Sequence, residues 1–133
     1  MSIRAALETA LNAMSPSLAT AWENVPFEPP APTTAYQRAT ILLAQPNNTS
    51  IGGTFQEIGI LQVDLMYPQD TGADAAEDRA ALLRTTFKRG TSFTASGITV
   101  TSERTPEIMP GRNEEGRFVI PVRIRFFAHI ISA

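Results

Sequence analysis

The chain has 133 residues, 43% hydrophobic and 18% charged, with a formal net charge of -2 and no cysteine. These totals fit one globular domain over 1–133 and exclude disulfides and thiolate metal sites. They give no whole-chain attraction to nucleic acid, membranes or acidic partners. No apolar run approaches the ~20 residues of a membrane helix, and the N-terminus lacks the pattern of a secretory signal, so a reducing cytoplasm is the simplest compartment.

In chain order, Ser2 caps a first predicted helix over 3–14. Ile3, Ala6, Leu7, Ala10, Leu11 and Met14 recur at spacings of three and four, which makes one apolar stripe. Ser15-Pro16 stops it. Leu18, Thr20 and Trp22 alternate with alanines as a short edge strand. Four prolines then fall within positions 26–32, which forces an extended path. That segment reads as a strap laid across the domain with Phe27 docked. A strand over 36–45 follows, then a turn-rich loop over 46–53 containing Asn47-Asn48-Thr49-Ser50.

The stretch 54–67 is the organising strand. Gly59, Leu61, Val63, Leu65 and Tyr67 share one apolar face, while Ile58, Ile60, Gln62, Asp64 and Met66 form a mixed row. Such alternation marks a strand with one face on a core. Gly59 is a candidate bulge, and Pro68 ends the run. The stretch Gln69-Asp70-Thr71-Gly72-Ala73-Asp74 starts the second predicted helix. Ala76, Ala80, Leu83 and Phe87 form its buried line, acidic residues open it, Arg84, Lys88 and Arg89 close it, and Gly90 is its left-handed cap. Thr91–Thr94 reads as a polar connection, 97–104 as a strand and 106–115 as a loop. The last strand spans 117–130, with Phe118, Ile120, Val122, Ile124, Phe126, Ala128 and Ile130 on one face. The predicted fold is α+β in the order α-β-β-β-α-β-β, with two helices on one face of a mostly antiparallel four- to five-stranded sheet.

Catalytic constellations do not emerge. His129 is the one histidine and has no second histidine or cysteine for a zinc site. Asp70, Asp74 and Asp78 recur every four residues, a conceivable cation row that the helix dipole explains more simply. Arg117, Arg123 and Arg125 share the polar face of the last strand. A phosphate-binding row is one reading; pairing with carboxylates such as Asp64 and Glu57 on neighbouring strands or subunits is the stronger one. The second sheet face is half apolar, with Ile58, Ile60, Met66, Val119 and Phe127 among charges. Such a surface is either covered by the strap or used as an interface.

Trp22-Glu23-Asn24-Val25-Pro26-Phe27-Glu28-Pro29 resembles an "aromatic, Asn, x, Pro, Phe, x, Pro" signature found in a small phage-related family. The stretch Gly59 to Pro68, followed by Gly72, resembles that family too, as do Phe87, Gly97 and the closing Phe118 to Ile124. That family is similar to the tail terminator and minor tail proteins of long-tailed bacteriophages, the lambda type included. The resemblance implies a tail-terminator-like α+β fold. It also implies a hexameric ring that caps the tail tube and docks to the head–tail connector, formed in the host cytoplasm and residing at the neck end of the virion tail. It implies no enzyme, no cofactor and no metal. Trp22, Asn24, Pro26 and Phe27 become structural residues, with Phe27 as an anchor and Asn24 as a turn. Ile58, Ile60, Met66, Arg117, Val119, Arg123, Arg125 and Phe127 become the candidate interface. The expected partners are further copies of itself, the tube protein and the connector, with no membrane. Another neck or minor tail role is the alternative. A nucleic-acid module built on Arg117, Arg123 and Arg125 is a reading from another class, and the near-neutral charge weighs against it.

Overall fold

The computed structural model describes residues 2–48 and 52–131. Its elements are α1 (Ser2–Asn12), β1 (Ala19–Ala21), β2 (Tyr36–Leu43), β3 (Thr54–Pro68), α2 (Asp74–Thr86), β4 (Ser92–Ala95), β5 (Ile98–Ser102), β6 (Glu107–Ile108), β7 (Arg112–Glu114) and β8 (Arg117–Ile131). Residues 49–51 of the predicted turn-rich loop lie outside the described residues. Beside that gap, Asn47 bridges back to Gln56.

The α+β class is observed, with two helices, but the sheet is larger than the expected four or five strands. Eight strands form one mixed sheet in the order β1-β2-β3-β8-β5-β4, with β6 and β7 also on β8. The parallel β1–β2 pair makes it mixed. β3 and β8 pair antiparallel without interruption from Thr54↔Ile131 to Pro68↔Arg117. The period-two rows therefore meet across the ladder: Leu61 faces Ile124, Val63 faces Val122 and Leu65 faces Ile120. All six are buried, and they share one core with Ile3, Leu7 and Leu11 of α1 and with Ala76, Ala80 and Leu83 of α2. Burying side chains of this size contributes about 1.5–3 kcal/mol each.

Three segments read as connections are strands. Residues 92–95 form β4 against β5, and β6 and β7 lie within the predicted 106–115 loop. β5, β6 and β7 pair successive parts of the same edge of β8, at Ala128 to Phe126, Arg123 to Val122 and Val119 to Arg117. Pro121 stands in this central strand because of that arrangement. Its carbonyl accepts from the Met109 N–H at 2.9 Å, so its missing donor falls on the β6–β7 side, where lateral pairing is interrupted.

Two glycines differ from their expected roles. Gly59 is no bulge, since the ladder continues through Gly59↔Phe126. A Cβ there would lie 2.6 Å from the Leu42 carbonyl oxygen and 2.7 Å from Phe126 Cζ. The glycine makes room for the ring of its cross-strand partner. Gly90 has φ +89° but does not cap α2, which ends at Thr86 with Phe87 N–H bonded to the Leu83 carbonyl. Gly90 instead donates to Ser102 at 2.8 Å and starts the turn into β4.

The short β1 covers only Tyr36 to Arg38 of β2. Beyond it, the Glu23 carboxylate accepts the Ile41 N–H at 2.7 Å and an Arg4 guanidinium N–H at 3.0 Å. A side chain thus occupies an edge donor that could otherwise template another strand. The Ile41 N–H, and secondarily Arg4, holds the Glu23 carboxyl below its ordinary pKa.

Two outcomes follow from this packing. Gly59→Ala is expected to lower unfolding stability by about 1–3 kcal/mol in a denaturant titration, because neither neighbour can yield freely. The depressed Glu23 pKa means its contribution is present above the ordinary glutamate pKa and is lost as pH falls through the folded value. Stability measured from neutral to acid should therefore lose part of its acid-side slope in Glu23→Gln.

Candidate functional site

The sheet face opposite the helices divides into a covered end, a polar band and an open end. At the covered end, Asn24 takes φ +57°, and the Val25 N–H reaches back to the Trp22 carbonyl at 3.3 Å. Trp22 packs partly buried against the core, whereas Pro26 is exposed. The Phe27 ring lies 5.2 Å from that of Tyr36. On Tyr36 sits the Arg117 guanidinium, 4.7 Å from the ring centroid. That guanidinium donates to the carbonyls of Thr34 at 2.6 Å, Pro30 at 2.8 Å and Ala31 at 3.0 Å. One planar fork thus pins the proline-rich strap, satisfying carbonyls that have no ladder partner. Beside it, Met66 and Val119 are 5% and 1% exposed.

The polar band crosses β2, β3 and β8. Asp64 is buried and accepts from Arg38 Nε at 3.2 Å and Nη2 at 3.1 Å. Its other oxygen accepts from Gln62 Nε2 at 3.0 Å. Gln62 Oε1 in turn accepts from Arg123 Nε at 3.2 Å. The expected partner for Asp64 is therefore Arg38 and not an arginine of the last strand. Glu57 pairs with Ala128 on the core-side row, so it does not face Arg123 or Arg125.

Beyond this band the face opens. Ile58 and Phe127 are a cross-strand pair, as are Ile60 and Arg125, and Leu42 next to Ile60 is 49% exposed. The exposed His129 meets Phe127 edge-on at 5.7 Å. A cavity of about 430 Å³ lies here, lined by Ile60, Arg104, Thr105, Glu107, Arg123 and Arg125. The linker carrying Arg104 and Thr105 is fixed from both sides. Ser102 Oγ donates to the Phe87 carbonyl at 2.7 Å, and Arg84 Nε donates to the Pro106 carbonyl at 3.1 Å.

Of the sequence-derived interface set, Met66 and Val119 are buried within the chain and Arg117 is taken up by the strap. Ile58, Ile60, Arg123, Arg125 and Phe127 share the open end. Arg104, Thr105, Glu107 and Leu42 join them unforeseen. Leu42 sits on the same face as Ile60 in the β2 pattern, a readable signal; the linker residues carry no periodicity that could place them. Among the described residues, no three His, Cys, Asp or Glu side chains gather closely enough to hold a metal ion, so Asp70, Asp74 and Asp78 form no such group. No described helix is long and apolar enough to cross a membrane.

Arg117→Lys keeps the charge but loses the fork. It is expected to lower stability by about 1.5–3 kcal/mol and to speed amide exchange across the strap and Tyr36, read by hydrogen-exchange mass spectrometry. Unchanged exchange there would show that the strap is held by other contacts.

Comparison with known proteins places this scaffold. No curated protein matches the chain. One solved structure, among six matching solved chains, is 26% identical, with a TM-score of 0.79 over 98% of this chain and 96% of its own. It carries no functional name, so it supports the fold. The family model described as "Phage tail terminator protein" matches residues 2–126. With residues 2–126 matched, the chain belongs to the phage tail terminator family.

Proposed function

We propose that this protein is a tail terminator subunit that assembles into a ring, a hexamer by its resemblance, on the head-proximal end of the tail tube. The observation that carries the reading is the family match over 2–126. The open end of the second sheet face supports it: Ile58, Ile60, Leu42 and Phe127 are apolar groups in a setting of arginines, the composition of an interface with an apolar centre and a charged rim. The mechanism is geometric. One ring face copies the docking surface of the tube subunit and stops its addition; the other receives the connector. The protein then resides at the neck end of the virion tail.

Purified protein mixed with tube protein tests this. Light scattering and negative-stain microscopy should show rings at tube ends and tubes that cease to lengthen. Ile60→Asp, an exposed-face change, should leave the fold intact by circular dichroism and reduce end-capping at least about tenfold, since a charge placed in an apolar contact is left without compensation. Tubes that keep growing at the same rate with saturating unaltered protein would overturn the reading.

A further inference from the structure

Among the described residues, two groups of charges of opposite sign take part in no ion pair. Around the cavity on the second sheet face, Arg104 and Arg125 make no side-chain ion pair among the described residues, and Arg123 reaches only Gln62. A neighbouring depression of about 500 Å³ shares Arg104 and Thr105 and adds Arg89 and Glu103. Three guanidinium groups therefore line the cavity against Glu107, and the adjoining depression brings Arg89 and Glu103 beside Arg104. At the start of α2, Asp70, Asp74, Glu77 and Asp78 are all exposed, and none is in an ion pair among the described residues. The nearest cation in sequence, Arg79, does not neutralise them. It is 5% exposed and turned inward, with Nη1 donating to the Pro16 carbonyl.

The two patches cannot satisfy each other inside one molecule. Arg89 follows the C-terminal end of α2 and the acidic residues open its N-terminal end. A helix of 13 residues separates those ends by about 20 Å, twice the distance over which exposed charges interact at ordinary salt. Arg123 and Arg125 also lie on the other side of the sheet from α2. α2 packs its Ala76, Ala80 and Leu83 on the core face, whereas Ile60, Arg123 and Arg125 belong to the opposite face.

We infer that the arginine cleft receives the acidic N-terminal end of α2 from a second copy of this chain, and that this pairing is the repeating contact of the ring; the inference rests on the ring reading above. Charge complementarity selects that occupant, because the start of α2 supplies Asp74, Glu77 and Asp78 and the turn before it Asp70, none in an ion pair among the described residues, and the cleft supplies an excess of such arginines. Surfaces on opposite faces of one sheet cannot both engage the same neighbour, so the contact is head-to-tail. Each copy then presents a cleft to one neighbour and a helix end to the other, which continues until the ring closes. The apolar Ile60 and Leu42 beside the cleft supply the desolvated part of the contact, and the charges set partner orientation and association rate.

The test is a reciprocal charge exchange in the full chain. One variant carries Arg123→Glu and Arg125→Glu; the other carries Asp74→Lys and Glu77→Lys. All four positions are exposed, and circular dichroism with thermal unfolding checks that both variants fold; Asp74→Asn with Glu77→Gln is the milder substitute. Mass is read by sedimentation velocity, alone and with tube protein. Either variant alone should associate at least about tenfold more weakly than the unaltered chain. An equimolar mixture should regain assembly, because each reversed cleft meets a reversed helix end, and so should one chain carrying all four changes. Variants that assemble as the unaltered chain does, a mixture no better than its components, or assembly that stops at a dimer would each overturn the pairing. Loss of DNA retention by the arginine variant with unchanged assembly would reassign the cleft to nucleic acid and overturn it as well. If the unaltered chain forms no ring even with tube protein, the ring reading fails first and the pairing with it.

Discussion

The β3–β8 ladder is the constraint on which the rest depends. Its fifteen paired positions run through the centre of the sheet, and their register decides which side chains face the helices. Side chains alternate between faces with a period of two, so a slip of one residue would carry Asp64 into the core and Val63 out of it. That cost fixes the register. Once it is fixed, everything else is an attachment to one side or edge. The helices cover the apolar face, β2 extends the sheet from β3, and β5, β6 and β7 share the free edge of β8. The strap then closes part of the remaining face.

The same logic explains what was legible in the sequence. Both long strands and both helices announce themselves because each carries its own periodicity, and the burial of Leu61, Val63, Ile124 and Val122 is where that periodicity puts it. β4, β6 and β7 were not legible. They are two to four residues long, too short to show a period, and β6 and β7 exist as strands because β8 offers them an edge. Gly59 illustrates a subtler limit. Its residue type marks a special position, but a bulge and a close aromatic approach both call for glycine. Only the position of Phe126 across the ladder separates them.

Arg117 shows why the candidate site was half readable. It stands in the same row as Arg123 and Arg125, and nothing local distinguishes the three. What separates them is distant in the chain: the carbonyls of Pro30, Ala31 and Thr34 lie 83 to 87 residues away. A guanidinium that donates three hydrogen bonds to carbonyls while resting on an aromatic ring is committed to holding the fold. Arg125, next to half-buried Ile60 and exposed Leu42, has no such commitment. The identical residue type therefore does opposite work at the two ends of one strand, and only tertiary structure sorts them.

That division of one face gives a physical account of the role proposed above. Ending a polymer requires a surface that is rigid and unlike on its two sides. The strap end supplies rigidity: buried Met66 and Val119, a stacked Tyr36 and a forked arginine leave little freedom there. The open end supplies unsatisfied groups, apolar and cationic, whose free energy falls when another surface covers them. If both ends were open, the surface would bind less selectively; if both were strapped, it would bind nothing. With the acidic end of α2 on the reverse side of the sheet, the molecule has a front and a back of opposite character. The proposed head-to-tail assembly needs that polarity, which arises because the core helices claim one sheet face and the strap claims only half of the other.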